Sequence, residues 1–359
     1  MKQVTLSQFG MGPIGVESVR LAAKMPWARI VGAVDINPAK IGRSLAELTG
    51  VAGLSNVYVH GSFADLWSDV QPAVVLHTAG SKAIQSIEQI TPMVEQGVSV
   101  ASTCEELFFP ALHARKAASQ IDVLAQRTGA RIVGTGVNPG FVMDVLPVFM
   151  TGASRTVQSI AVQRVVNAST RRMPLQKKIG SGIEPDVFRK LFSQGKAGHA
   201  GFRESAALIA HCLGWKIDEL TETCEPVIAD HDIKTAYFEV STGLTCGLHQ
   251  RCVIKVDGQV KVDLDLKMYL DAKDPHDAVQ IAGEPPMDFL ARGGVDGDIA
   301  TVASLVNSVP RLLAAPAGMR LMTELPIPMW SDAFNGFAVA PKVPKPKMVA
   351  TLRRPSREN

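Results

Sequence analysis

The sequence predicts an α/β protein: an N-terminal doubly wound parallel sheet, followed by a second α+β domain on a mixed or antiparallel sheet. Three observations carry this. Strand-like and helix-like segments alternate through the first third of the chain, and such alternation implies parallel pairing through right-handed crossovers. After about residue 147 the alternation stops, and long β-rich stretches run from Thr235 to Leu270. Two of them, Gln250–Val256 and Gln259–Met268, flank Asp257-Gly258, a hairpin signal because these residue types accept the positive φ of a two-residue turn. A length of 359 residues suits two domains.

The elements follow in order. Val4 to Phe9 reads as a buried first strand, then a glycine-rich turn leads into a helix from Ile14 to Lys24. Arg29–Val34, Val57–Val59 and Ala73–His77 are the next strands, the last ended by Ala79-Gly80. Ala83 to Gln96 is amphipathic, with Ile87, Ile90 and Val94 on one face, and Pro92 within it predicts a kink or break. Val98–Ala101 is a fifth strand, Ala111–Thr128 a helix closed by Gly129, and Arg131–Val133 a sixth strand. Further on, Ser159–Val166 is extended and Glu204–Leu213 helical, and Ala300–Ala314 returns to helix, interrupted at Pro310. Pro341 to Lys347 is extended, because three prolines in seven residues cannot form a helix interior.

Composition excludes several classes. Hydrophobic residues are 46% and charged residues 20%, enough apolar surface for a core and too little net charge for disorder. No apolar run approaches the ~18 residues of a membrane span, and Met1-Lys2-Gln3 leads straight into a strand without a secretory pattern. A cytoplasmic protein without membrane contact is expected. Residues 331–359 carry six Lys/Arg against two Asp/Glu, so the net charge of +3 sits in a solvated tail and the body is near neutral. That argues against nucleic acid as a partner. Five cysteines (104, 212, 224, 246, 252) without a CxxC pair give neither a disulfide framework nor a zinc site, and no metal is expected. Asn167-Ala168-Ser169 is a glycosylation triplet that carries no weight without a secretory signal.

Gly10-Met11-Gly12-Pro13-Ile14-Gly15 fits G-x-G-x-x-G between a strand and a helix, and Asp35 follows at the end of the second strand, 20 residues past Gly15. This is the pattern of a dinucleotide-binding Rossmann domain. Gly10 permits a tight turn, Gly12 lets a pyrophosphate approach the backbone, and Gly15 lets the helix pack closely on the strand. The helix N-terminus offers free N–H groups and the positive end of its dipole, and Pro13 suits the first turn because it has no N–H to lose. Asp35 accepts hydrogen bonds from both ribose hydroxyls of NAD and repels the extra phosphate of NADP. Lys40 and Arg43 soften that repulsion unless they are merely a solvated helix face. NAD is expected as the preferred cofactor, with NADP admitted.

Ligands in such sheets sit beyond the carboxyl ends of the strands. There lie Thr78, Ala79 and Gly80 beside the cofactor, then Ser102-Thr103-Cys104-Glu105-Glu106, then Gly136 to Phe141. A carboxylate from Glu105 or Glu106 beside nicotinamide would hold a cationic nitrogen or move a proton; at least one of the pair has the competing role of a helix-start residue. The residues alone leave open which is which. Asn138 suits the nicotinamide ribose or carboxamide, or is a turn residue before Pro139.

Taken together, Ser102 to Leu107 with Pro110, Asn138-Pro139-Gly140-Phe141 with Met143-Asp144, Gly195 to His199 with Glu204-Ser205, Gly297 to Thr301 with Val306 to Pro310, and Leu325 to Pro328 resemble the 2,4-diaminopentanoate dehydrogenase and native amine dehydrogenase family. The resemblance covers about residues 1–330. The wider group is dihydrodipicolinate reductase-like, but the His-His…Lys signature of the true reductases is missing. The resemblance implies a homodimer and NAD(P)-dependent oxidative deamination of an amine, or the reverse reductive amination of a ketone or aldehyde with ammonia by hydride transfer to an iminium. It implies a glutamate of the Glu105/Glu106 pair as the active-site acid, an apolar and aromatic pocket with Phe141, Met143 and His199, and Thr301 near substrate or cofactor. The chain is expected to divide into residues 1–147 for dinucleotide binding, 148–299 for substrate and dimerisation, 300–335 as helices returning to the first domain, and 336–359 as a basic, proline-rich tail outside the resemblance. The alternatives are a 2,4-diaminopentanoate dehydrogenase acting on a diamino acid, an ammonia-independent alcohol or semialdehyde dehydrogenase, and a non-catalytic NAD sensor.

Other polar residues have competing readings. His211, on an apolar helix, reads as a satisfied core histidine. Arg171-Arg172 and Lys177-Lys178 either attract a carboxylate or are solvated. A diaminopentanoate enzyme would need a cation for its substrate's carboxylate, and the sequence marks none without ambiguity. Cys104 has no histidine partner in sequence, so a thiolate nucleophile is not indicated.

Overall fold

The computed structural model describes residues 3–327 and 329–331; the expected basic tail over 336–359 lies outside them. The first half alternates as its sequence predicts: β1 (Val4–Phe9), α1 (Pro13–Ala22), β2 (Ala28–Val34), α2 (Leu45–Thr49), β3 (Val59–His60), α3 (Phe63–Asp69), β4 (Val74–His77), α4 (Ala83–Glu95), β5 (Ser99–Ser102), α5 (Arg115–Thr128), β6 (Arg131–Gly134) and α6 (Val145–Met150). Then come β7 (Thr156–Asn167), α7 (Met173–Lys178), α8 (Pro185–Ser193), α9 (Phe202–Cys212), β8 (Glu219–Ile228), β9 (Ile233–Lys234), β10 (Glu239–Val240), β11 (Thr245–Val256), β12 (Gln259–Tyr269), β13 (His276–Glu284), β14 (Met287–Arg292), α10 (Gly297–Ala314) and β15 (Gly318–Arg320).

The first sheet is parallel throughout, in the order β15-β6-β5-β4-β1-β2-β3. Its strands are buried on both faces, which is why they read as near-continuous apolar runs. The strand order reverses between β1 and β4, so the crevice at their carboxyl ends is the place for a ligand. One face carries α1 and α10 over Leu6, Val19, Leu305 and Val309; the other carries α4 and α5 over Ile87, Ile90 and Ile121. The seventh strand, β15, was not anticipated: three residues, Gly318–Arg320, are too short for any periodicity.

The second sheet is mixed, in the order β14-β13-β7-β12-β11-β8, with only the β7–β12 pairing parallel. The Asp257-Gly258 hairpin forms between β11 and β12, both turn residues having positive φ (51° and 73°). One face of the sheet is covered by α9, where Phe202, Ala206, Ile209 and Ala210 pack with Leu248, Ile254, Leu264 and Leu266.

Two expected interruptions do not occur. Pro92 lies inside an unbroken α4 and Pro310 inside an unbroken α10. A proline costs a helix roughly 3 kcal/mol, but each fully buried aliphatic side chain returns about 1.5–3 kcal/mol. Ile90, Met93 and Val94 around the first, and Leu305, Val306, Val309 and Leu312 around the second, are all fully buried. Tertiary packing outweighs the local penalty. His211 also departs from expectation: it is exposed in the last turn of α9, its ring tilted onto Phe109 at 5.4 Å. The long helix expected from Ala111 begins at Arg115.

Candidate active site

At the start of α1 the glycines have three separate jobs. Gly10 has φ +88°, and a β-carbon there would press on Thr78 and Ala79. A β-carbon on Gly15 would fall 1.9 Å from the Gly10 carbonyl oxygen, so this position permits only glycine while helix and loop stay so close. A β-carbon on Gly12 would meet nothing within 4 Å. Protein packing therefore does not require glycine at 12; what it keeps clear is the approach to the N-terminus of α1. That terminus has no side-chain cap, and Pro13 occupies its first turn, so its N–H groups remain for an anion. The residues fit a dinucleotide pyrophosphate. Thr78 ties the loop to β4 by donating to the Gly10 carbonyl at 2.9 Å and accepting from Gln8 at 2.9 Å.

Asp35 stands at the end of β2 and accepts from the N–H groups of Met11 and Asn37, both at 2.8 Å. Lys40 is not a solvated residue: its Nζ lies 3.0 Å from Asp35 and 2.9 Å from the Met11 carbonyl, whereas Arg43 turns to Glu47. Burial pulls the Asp35 carboxyl upward, but the Asn37 N–H, the Lys40 ammonium and the Met11 N–H prevail and hold it below its ordinary value.

A cleft of about 370 Å³ opens where the carboxyl ends of the first sheet face the second. Ile14, Thr78, Gly80, Glu105, Asn138, His199 and Thr301 line it. The acidic pair separates here. Glu106 accepts from the Ala83 N–H at 2.9 Å at the start of α4 and pairs with Lys82 at 2.8 Å; it is a helix-start residue. Glu105 lines the cleft, half-buried, and among the described residues it has no ion pair. Its place is fixed by Gly201, φ +86°, where a β-carbon would lie 2.5 Å from Pro139 and 3.0 Å from the Glu105 β-carbon. Cys104 is buried, and burial pushes its thiol up to about 11, so it is no thiolate.

The loop after β6 is held from behind. Asn138 is buried, its amide N–H₂ against the Met143 sulfur at 3.3 Å, and its Oδ1 has no protein partner. A buried carbonyl oxygen without a donor is costly, so this one is suited to a ligand amide or hydroxyl. The Asn138 main-chain carbonyl accepts from His199 Nε2 at 2.9 Å; a carbonyl cannot donate, so that nitrogen carries the proton. Burial, then the charges of Lys178, Arg164 and Arg171, hold the His199 imidazole down to about 3 against the Asn138 hydrogen bond, and it is neutral. Gln250, fully buried in β11, accepts from the His199 N–H at 2.7 Å and donates to its carbonyl at 3.0 Å. Asp144 accepts from the Gly140 and Val145 N–H groups and from the Ser205 hydroxyl at 2.7 Å. Burial pushes its carboxyl up to about 6.

The cleft also has a cationic lining. Arg164, Arg171, Arg172 and Lys178 all line the cleft. Arg164, 3% exposed, pairs with Asp277 at 3.2 Å; Arg171 and Arg172 share Asp298 at 2.9 and 2.8 Å. Lys178 has no ion pair among the described residues, and Arg171 Nε is buried without a partner. Within the two runs, Arg171, Arg172 and Lys178 line the cleft and Lys177 does not, although both lysines are exposed. Arg164, Gln250 and Asp298 were not anticipated. The signal for Arg164 was available, since Ile160, Val162 and Arg164 share one face of β7 and an arginine on the inward face of an alternating strand needs a reason.

Two expected pocket residues do not reach the cleft. Phe141 is 36% exposed, and Met143 is fully buried beneath Asn138. Met11 lines a neighbouring groove with Gly12, Pro13 and Ile14, and Ala79 backs Gly10.

A sequence profile of the 2,4-diaminopentanoate dehydrogenase C-terminal domain matches residues 141–335. A 2,4-diaminopentanoate dehydrogenase of Acetoanaerobium sticklandii is 30% identical over 335 residues, 91% of this chain and 95% of that protein. An amine dehydrogenase of Streptomyces virginiae is 23% identical over 89% of this chain and 95% of that one. The amine dehydrogenase structure from Mycobacterium smegmatis superposes with a TM-score of 0.81 at 20% identity, covering 92% of this chain and 98% of that one, which shows a shared fold. The chain belongs to the 2,4-diaminopentanoate dehydrogenase family and is an oxidoreductase of the amine dehydrogenase type.

Proposed function

We propose that this protein catalyses the reversible oxidative deamination of an amine with a nicotinamide dinucleotide, NAD preferred over NADP, and that its substrate carries an acidic group besides the amine. The reverse reaction is reductive amination of a carbonyl compound with ammonia through an iminium. One observation carries the reading: Glu105 is a carboxylate with no ion pair among the described residues, in a cleft that three arginines and a lysine also line. A carboxylate without an ion pair beside the strand ends is suited to a cationic nitrogen; the cations in the same cleft are suited to a carboxylate.

The Gly10–Gly15 loop and the N-terminus of α1 receive the pyrophosphate, Asp35 the adenosine ribose, and Asn138 Oδ1 the nicotinamide end. Bound there, the dinucleotide supplies the hydride acceptor for deamination and the donor for amination. The chain supplies the rest. Glu105 steadies positive charge on the substrate nitrogen and takes or returns a proton. Glu106 positions it by tying the residue after it to the start of α4. Neutral His199 donates to the Asn138 carbonyl and so fixes the loop that carries the amide. The diamino-acid alternative is favoured over a simple amine by Arg171 and Lys178, which supply the cation that a substrate carboxylate needs. The domain division at residues 147 and 299 and a homodimeric assembly belong to the same proposal; light scattering checks the latter.

The test is an activity panel at fixed cofactor: a 2,4-diamino acid, simple amines, and small ketones with and without ammonia. Turnover greatest with the diamino acid, and carbonyl reduction that requires ammonia, are expected. Ammonia-independent alcohol or carbonyl turnover would refute the amine reading.

A further inference from the structure

The glycine loop lacks a cation of its own. No residue from Gly10 to Gly15 is charged. Lys40, in the groove beside it, is committed to Asp35 at 3.0 Å and to the Met11 carbonyl at 2.9 Å. Glu17, in the same groove, is acidic and pairs with Arg20. A helix N-terminus offers only about half a positive charge, whereas a pyrophosphate carries two negative ones.

The missing charge stands on the segment that follows β7 of the second sheet. Arg172 precedes α7, in the segment after β7, and lines both the groove of Met11, Gly12 and Pro13 and the cleft of Glu105 and Asn138. Its side chain is 38% exposed. Its guanidinium rests on Asp298, Nε to Oδ2 at 3.1 Å and Nη2 to Oδ1 at 2.8 Å, while Arg171 takes the same carboxylate at 2.9 Å. Two guanidiniums on one carboxylate leave one positive charge over. Buried Arg171 keeps Asp298 occupied when Arg172 turns away.

We propose that Arg172 is a pyrophosphate-binding residue supplied by the segment following β7, so that the dinucleotide is clasped between the glycine loop of the first sheet and a guanidinium from the segment that leaves the second sheet. Asp298 holds that guanidinium ready beside the groove until the phosphates take it. This rests on the dinucleotide reading above and adds a ligand that the glycine motif does not contain.

The test measures binding, not turnover. NADH is titrated by fluorescence and ADP-ribose, which has the pyrophosphate but no nicotinamide, by calorimetry, for wild type, Arg172→Met and Arg172→Lys. Loss of a charge-assisted hydrogen bond predicts about tenfold weaker binding or more in R172M. The loss is equal for both nucleotides, and the salt dependence is shallower. R172K keeps a charge without the fork and loses less. Thermal melts of the unliganded variants check folding, and R172K still decides the matter should R172M unfold. Wild type that binds both nucleotides with neither variant weakened overturns the proposal, as does a loss confined to NADH. Wild type that binds neither NADH nor ADP-ribose overturns the dinucleotide reading and this proposal with it.

Discussion

Replacing Glu105 with glutamine separates the two members of the acidic pair. The substitution keeps size and hydrogen-bonding reach and removes one charge. Glu105 has no ion pair among the described residues, so neutralising it strands no buried cation, and the stability change is within about 0.5 kcal/mol, as for a substitution away from any buried network. The cost falls on chemistry: a positioned acid–base group contributes roughly 10²–10⁴-fold, and that loss is expected in kcat with cofactor affinity unchanged. Glu106→Gln is the control. Its amide oxygen still accepts from the Ala83 N–H, and the lost pair with Lys82, whose side chain is 68% exposed, is worth about 0–1 kcal/mol; its kcat stays within several-fold of wild type. Initial rates by NADH absorbance, single-turnover rates and melting curves on the same three proteins complete the comparison. An E105Q enzyme retaining a third or more of wild-type kcat would refute the role, and so would E106Q proving equally damaging without a loss of stability.

Gly12→Ala and Gly15→Ala should fail differently. G12A, with open space around its new methyl, keeps its melting temperature and loses NADH binding; G15A, with its β-carbon 1.9 Å from the Gly10 carbonyl oxygen, loses stability in denaturant titrations. Equal melting temperatures for the two would contradict the packing described. Asp35→Ser removes the carboxylate from the adenosine ribose and frees Lys40, shifting the kcat/KM ratio toward NADP by about tenfold or more, read from parallel kinetics with the two cofactors. Glu204, buried in the first turn of α9 and 3.0 Å from His113, has its carboxyl pushed up to about 7, by burial first and then by the charges of Glu106 and Glu222, against its own N–H and Arg203. Because the folded value is raised, its stabilising contribution is full below the unfolded value near 4.5 and is lost as pH rises through 7, by about 3 kcal/mol at most. Glu204→Gln should flatten the stability profile between pH 5 and 8 and exceed wild type at pH 8; parallel profiles in urea would sink that assignment.

The architecture was legible because its signals are local. A strand, three glycines at fixed spacing and an acid at the end of the next strand are read along a single stretch of chain, and the Asp257-Gly258 turn announces its hairpin within two residues. That the acidic pair lies at the strand ends was legible, but not that its members part company, since the place of Glu106 depends on the N–H of Ala83, 23 residues earlier. Pro92 and Pro310 misled because proline's cost is local while the burial that outweighs it comes from other elements. Phe141 misled because its place in a shared motif says nothing of its side chain's direction, and here that side chain is partly in solvent.

The cationic wall was hidden for a related reason, and it matters most. Arg171 and Arg172 read as a solvated run until Asp298, 126 residues beyond Arg172, is brought against them by the N-terminal turn of α10. Arg164 is neutralised by Asp277 from a neighbouring strand. These acids set how much positive charge the cleft keeps: enough, with Lys178, to face an anion, but little enough that arginines stay folded against the second sheet. Glu105 follows β5 of the first sheet, and the cations lie on or just after β7 of the second. On the proposed reading, a substrate bearing both an amine and a carboxylate answers Glu105 and the cations at once, whereas a simple amine leaves the cations unanswered. A site built for a charged group discriminates strongly against analogues that lack it, so on the proposed reading specificity depends on Glu105 and the cations lining one cleft, as the loop after β5 and the segment after β7 do only once both sheets have formed.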